Sequence, residues 1–315
     1  MTTPQAPGAS EKRSPRLAAA ALLLVVSMAW GATFVVVKGA VAHSGVFEFL
    51  AWRFVVAGIL LVVLRPLAVA CLGARQWAQG LALGGILAVA YACQTYGLRY
   101  TTAALSGFLT GLQVVFTPLL LWLLFRRRVG ARTWVAVALA LAGLAVLSLR
   151  GLAFGLGESL TVAAAALFAL QIVLLGRWAS VKDAYGLAAV QLLAVGAVSL
   201  CAAAPGPLGV PRSPGMWGAV ALTAVAATAF AFVVQSWAQS HLSAPATAVV
   251  FTAEPVFAAV FAWAAGERFG WPTLVAGALV VLAMAVLGLQ RGAPPQVRGC
   301  MRSQAFTSPR RWYRG

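Results

Sequence analysis

The sequence predicts an all-α membrane protein of ten transmembrane helices, arranged as two inverted five-helix repeats. Three observations lead there. Hydrophobic residues make up 62% of the 315 and charged residues only 9%, too little charge to clothe a soluble surface of this size. The apolar residues gather in ten runs, each about long enough to cross a bilayer's hydrocarbon core as a helix. A weak internal similarity also recurs at a spacing of about 140 residues.

The runs lie at 17–37, 46–66, 77–98, 103–125, 133–149, 157–176, 184–204, 216–239, 244–265 and 271–290. Leu, Ala, Val and Gly dominate them, without the strict alternation of an outer-membrane barrel. Backbone groups in lipid must bond within their own segment, so helices follow. The first run comes after Lys12, Arg13 and Arg16, as the core of a secretory signal does. It continues to Val37, too far for a signal core, and is read as a retained helix. Residues 1–16 and 291–315 are rich in Pro, Gly, Ser and Arg and are expected to be disordered. Between them, 17–149 and 157–290 form the two repeats.

Charge sets the orientation. The chain carries 23 Lys and Arg against 6 Asp and Glu. With the N-terminus in the cytoplasm, 17 of the cations fall in inside segments, including Arg126, Arg127, Arg128 and the C-terminal tail. Only Arg99, Arg150, Arg212 and Arg268 fall outside. This bias is the positive-inside rule, and it puts both termini in the cytoplasm. The basic tail is expected to meet anionic lipid headgroups rather than nucleic acid.

Cys71, Cys93, Cys201 and Cys300 form no C-x-x-C pair. His43 and His241 fall in loops on opposite sides of the membrane, so no metal site is expected. Neither G-x-S-x-G, H-E-x-x-H nor a nucleotide-binding loop occurs, so no catalytic residue, no cofactor and no enzyme activity is expected.

The repeat is read from an ordered series. Gln94-Thr-Tyr-Gly-Leu-Arg-Tyr-Thr-Thr-Ala-Ala answers to Gln235-Ser-Trp-Ala-Gln-Ser-His-Leu-Ser-Ala-Pro, and Val115-Phe116 to Val256-Phe257. Trp77 and Trp217 open equivalent helices. Five helices per half make the second half enter from the opposite face, the arrangement from which alternating access is built.

Few side chains in the runs are charged. Arg53 lies about 10 Å deep in the second run, too deep to reach water easily, and should face the bundle interior. It reads either as part of a structural pair or as a partner for a ligand anion. Glu254 sits near the middle of the ninth run. It reads as a proton carrier, a counter-charge for a substrate amine, or a structural acid kept neutral. Pro255 beside it removes a backbone donor and should free the Phe251 carbonyl, and Pro118 does the same in the fourth run, so both are candidate hinges. Trp30, Phe34 and Lys38 share one helix face. They form an aromatic wall and a cation beside a substrate path, or else a packed Trp and a lysine snorkelling outward. Tyr91, Gln94, Thr110, Gln113, Gln171, Gln191, Gln235 and Trp237 lie at depths where they either contact a ligand or join helices. Glu267 is read as a solvated cap, and Gly80-x-x-x-Gly84 and Gly107-x-x-x-Gly111 as close packing.

These pieces resemble the EamA type of the drug/metabolite transporter superfamily over about 17–290. The telling parts are Trp30-Gly-Ala-Thr-Phe with Lys38, Arg53, Tyr100-Thr-Thr-Ala-Ala, and Glu254-Pro-Val-Phe-Ala with Gly266-Glu-Arg. One departure is Arg126-Arg-Arg, where the family more often has an acidic residue. The resemblance implies an inner-membrane carrier, usually an exporter, of small metabolites such as amino acids, with a central cavity between the halves. The competing expectation is a membrane sensor or scaffold that keeps the fold without transport.

Overall fold

The structure is a computed structural model that describes residues 13–126, 130–148, 155–204 and 213–288. The expectations for residues 1–12, for Arg127, Arg128, Arg150 and Arg212, and for the tail 291–315 with Cys300 fall outside the described residues.

Every described element is helical. In chain order these are α1 (Arg13–Val41), α2 (Val46–Leu64), the short α3 (Pro66–Ala70), α4 (Ala74–Gly97), α5 (Ala103–Thr110), α6 (Gln113–Phe125), α7 (Ala131–Ser148), α8 (Leu156–Trp178) and α9 (Ala184–Ala203). Then come α10 (Pro214–Ala224), a π-helical turn (Val225–Phe230), α11 (Ala231–His241), α12 (Ala244–Val250), α13 (Ala253–Ala264) and α14 (Trp271–Gly288). The first helix starts at Arg13, four residues before the expected boundary.

Among the described residues, seven stretches are long and apolar enough to cross a membrane: Pro15–Val41, Val46–Leu64, Ala103–Phe125, Leu156–Trp178, Ala184–Ala203, Pro214–His241 and Ala244–Ala264. The protein is therefore a multi-pass membrane protein. The run at 77–98 is helical as α4, made more polar by Gln79 and Gln94 and packed between α8 and α9. The fifth and tenth runs form α7 and α14, 18 residues each, which pack against one another.

Two of these stretches are broken near their middle. The 103–125 run breaks at Gly111–Leu112, and the 244–265 run at Phe251–Thr252. Neither break falls on the proline expected to act as a hinge. Pro118 lies inside α6, past the break, and Pro255 lies in the first turn of α13. A first-turn proline costs little, because that N–H has no intrahelical partner anyway. The Phe251 carbonyl is also not free, since it accepts the Glu254 N–H at 3.0 Å in a tight turn. That part of the expectation is corrected.

Small residues let the helices close on each other. A Cβ on Gly84 would sit 2.6 Å from the Gln191 carbonyl oxygen, so α4 and α9 meet backbone to backbone. A Cβ on Gly107 would sit 2.5 Å from Ala258 Cβ, and one on Gly31 2.8 Å from the Ala258 nitrogen. Gly31 and Gly107 thus hold α1 and α5 against α13. The outer rim carries exposed Leu, Val and Trp such as Leu17, Val63 and Trp263, the surface a lipid solvent requires.

Candidate functional site

The acidic residues sort themselves by position. Glu48 and Glu158 accept the N–H of Gly45 and Gly155 and cap their own helices, and Asp183 accepts from the Ser180 hydroxyl. Glu267 ties three elements together. Its carboxylate accepts the N–H groups of Ala103 and Ala104 at 3.0 and 3.3 Å, and pairs with Lys38 Nζ at 3.2 Å. A carboxylate at a helix N-terminus satisfies amides that have no partner within the helix. Glu267 is thus a partly exposed cap, as expected, but of α5 rather than of its own helix end, and Lys38 is its ion-pair partner. Among the described acidic residues, only Glu254 lies in the middle of the bundle.

Glu254 is 4% exposed and accepts from Gln113 Nε2 at 3.3 Å. Arg53 is 3% exposed; its Nε donates to the Thr228 hydroxyl at 2.8 Å, and its guanidinium carbon lies 5.1 Å from the Tyr91 ring centre. Among the described residues neither has an oppositely charged side chain within ion-pair distance. A buried guanidinium and a buried carboxyl with no ionic partner are costly in a protein interior and ask for compensation from water or ligand.

Both line one cavity between the helices. Aromatic rings form much of the wall. Trp30 packs against Phe232 and Phe251 at 5.9 and 5.0 Å, and Tyr91 against Phe168 at 5.1 Å. The Trp30 indole N–H donates to the Ala227 carbonyl at 2.7 Å, which leaves its ring face to the cavity. Polar groups complete the lining: Gln94 donates to Thr110 at 3.1 Å, and Gln235 donates to Gln171 at 3.1 Å. Gln171 in turn reaches Gln191, and Gln191 reaches Ser236, so α8, α9 and α11 share a buried amide chain. Gln235 Oε1 is buried without a hydrogen-bond partner.

Of the residues proposed from sequence, the structure brings together Trp30, Arg53, Tyr91, Gln94, Gln113, Gln235 and Glu254 around this cavity, with Thr110 and Gln171. Lys38 and Trp237 are not in its lining: Lys38 is held by Glu267, and Trp237 stacks on His241 at 4.7 Å. Sequence reasoning missed Phe168, Phe232 and Phe251, which look like ordinary apolar residues of their runs. A signal existed for Phe232. It stands 141 residues after Tyr91, the offset that separates Gln113 from Glu254.

The whole chain has relatives that bear on this arrangement. The EamA-like transporter family matches it twice, over 17–149 and 155–289. The chain belongs to the EamA-like transporter family. An "Uncharacterized transporter" of Archaeoglobus fulgidus is 29% identical over 269 residues, covering 85% of each chain. The "Uncharacterized transporter YvbV" of Bacillus subtilis is 28% identical over 196 residues, 60% of this chain and 63% of that one. A solved chain described as "Crystal structure of protein" shares the fold, with a TM-score of 0.64 at 20% identity over 85% of this chain and 96% of that one. The two family matches divide the EamA chain between Leu149 and Gly155, and both halves contribute to the cavity.

Proposed function

We propose that this EamA protein is a secondary transporter that exports small metabolites, such as amino acids, by alternating access. The observation that carries this is the cavity itself, a mid-bundle space lined by both family matches and holding Arg53 and Glu254, which have no ionic partner among the described residues. A cargo with one anionic and one cationic or donor group, on an apolar body, would satisfy both charges and the aromatic walls at once.

The reading includes ten crossings in two inverted five-helix repeats. The supporting relation is a fixed offset. Gln113 bonds to Glu254 141 positions later, and Gln94 and Gln235, at the same offset, both face the cavity. The breaks at Gly111–Leu112 and Phe251–Thr252 fall almost the same distance apart. The second half enters from the opposite face, both termini are cytoplasmic, and the membrane is the bacterial inner membrane. Glu254 is the group through which protons would couple to cargo.

The test is an unbiased flux screen. Purified protein in proteoliposomes is offered mixtures of labelled polar and zwitterionic metabolites. Saturable flux of at least one, lost in Arg53→Gln, supports the reading. Binding without turnover for every bound compound refutes it and favours a sensor.

A further inference from the structure

The turn Val225–Phe230 winds as a π-helix between α10 and α11. A π turn carries an extra residue and shifts backbone carbonyls out of the ordinary ladder, and such turns recur at functional sites. Here two adjacent residues of the turn hold two cavity side chains. The Ala227 carbonyl accepts the Trp30 indole N–H, and the Thr228 hydroxyl accepts the Arg53 Nε–H. Trp30 comes from α1 and Arg53 from α2, so one turn of the second family match grips both elements of the first. Thr228 is fully buried and does not itself line the cavity. At the 141-residue offset the first match has Leu87, in the unbroken α-helix α4, so the device occurs once.

We infer that Thr228 is a positioning residue of the cargo site. A guanidinium free to rotate points its donors in many directions, whereas one held at Nε keeps its plane and directs its Nη groups one way. Thr228 does this from outside the cavity. The cargo group that Arg53 meets is then an anion or strong acceptor of defined orientation. This rests on the transporter reading, because only a protein that binds cargo at Arg53 needs the guanidinium aimed.

The experiment compares wild type with Thr228→Val, which keeps shape and removes the acceptor, and Thr228→Ser, which restores it. Full-length protein in lipid nanodiscs carries arginine labelled at Nε, and the Arg53 signal is assigned by its loss in Arg53→Gln. The Arg53 Nε–H should exchange with solvent about tenfold faster in Thr228→Val and return toward the wild-type rate in Thr228→Ser. The second readout uses whichever compound the flux screen finds. KM should rise about tenfold in Thr228→Val with kcat little changed, and Thr228→Ser should recover it. Unchanged Nε–H exchange in Thr228→Val overturns the inference, as does a lowered kcat with unchanged KM. If Thr228→Val does not accumulate, Thr228→Ala takes its place with the same expected outcomes. Wild type that moves nothing refutes the transporter reading through flux alone, while the exchange contrast still reports whether Thr228 holds Arg53.

Discussion

Replacing Glu267 should destabilise the protein more than replacing its partner Lys38, although both belong to one ion pair. The pair is 3.2 Å long but partly exposed, with side-chain exposures of 38% for Lys38 and 21% for Glu267. Such pairs contribute about 0.2–1 kcal/mol, and the exposure of Lys38 argues for the lower part of that range. Glu267 also accepts the Ala103 and Ala104 N–H groups that open α5. Loss of such a cap costs about 1 kcal/mol. Lys38→Ala should therefore cost about 0.5 kcal/mol and Glu267→Ala about 1.5–2 kcal/mol. Glu267→Gln keeps an acceptor for the amides and should fall between them. The assay is reversible unfolding in mixed micelles, followed by tryptophan fluorescence, with the double variant closing a cycle. A Lys38→Ala cost equal to or above that of Glu267→Ala would refute the reasoning, because the amide contacts would then contribute nothing.

Arg53→Gln and Glu254→Gln should each remain abundant in the membrane and lose most flux, measured as transport per folded molecule. Loss of folded protein in both would assign the charges to structure instead. If Glu254 couples protons, Glu254→Gln should keep exchange of labelled for unlabelled cargo and lose gradient-driven accumulation. Gly84→Val should abolish accumulation of folded protein, read by size-exclusion profile, since even a Cβ there meets the Gln191 carbonyl oxygen at 2.6 Å. Reporter fusions after Arg128 and after Gln290 should both read cytoplasm; a periplasmic signal at either would remove the inverted-repeat reading.

The helical content was legible because lipid leaves few choices. A run of Leu, Ala and Val such as 184–204 has to form a helix, and α9 occupies Ala184–Ala203. The breaks near the middle of two runs were harder. Prolines drew attention to residues 118 and 255, but the chain breaks at Gly111–Leu112 and Phe251–Thr252. A proline marks a missing donor, and in the first turn of α13 that donor was not needed. Lys38 and Glu267 were each legible as a charge at a helix end. Their union was not, since 229 positions separate them in sequence.

By itself the sequence determined the solvent, the helical class and the short set of groups able to do chemistry in a membrane. Arg53 and Glu254 stand out in sequence because an intramembrane charge is expensive wherever it points. Tertiary structure decided which of the candidates act together. It placed Trp30, Tyr91, Gln94, Gln113 and Gln235 around the same cavity as those charges, and sent Lys38 to Glu267 and Trp237 to His241. It also created the π turn that holds Arg53 through Thr228, which no local pattern announces. The physical reason is one of range. Burial preference and helix periodicity act over neighbouring residues, whereas a hydrogen bond between positions 175 apart exists only once the helices have packed.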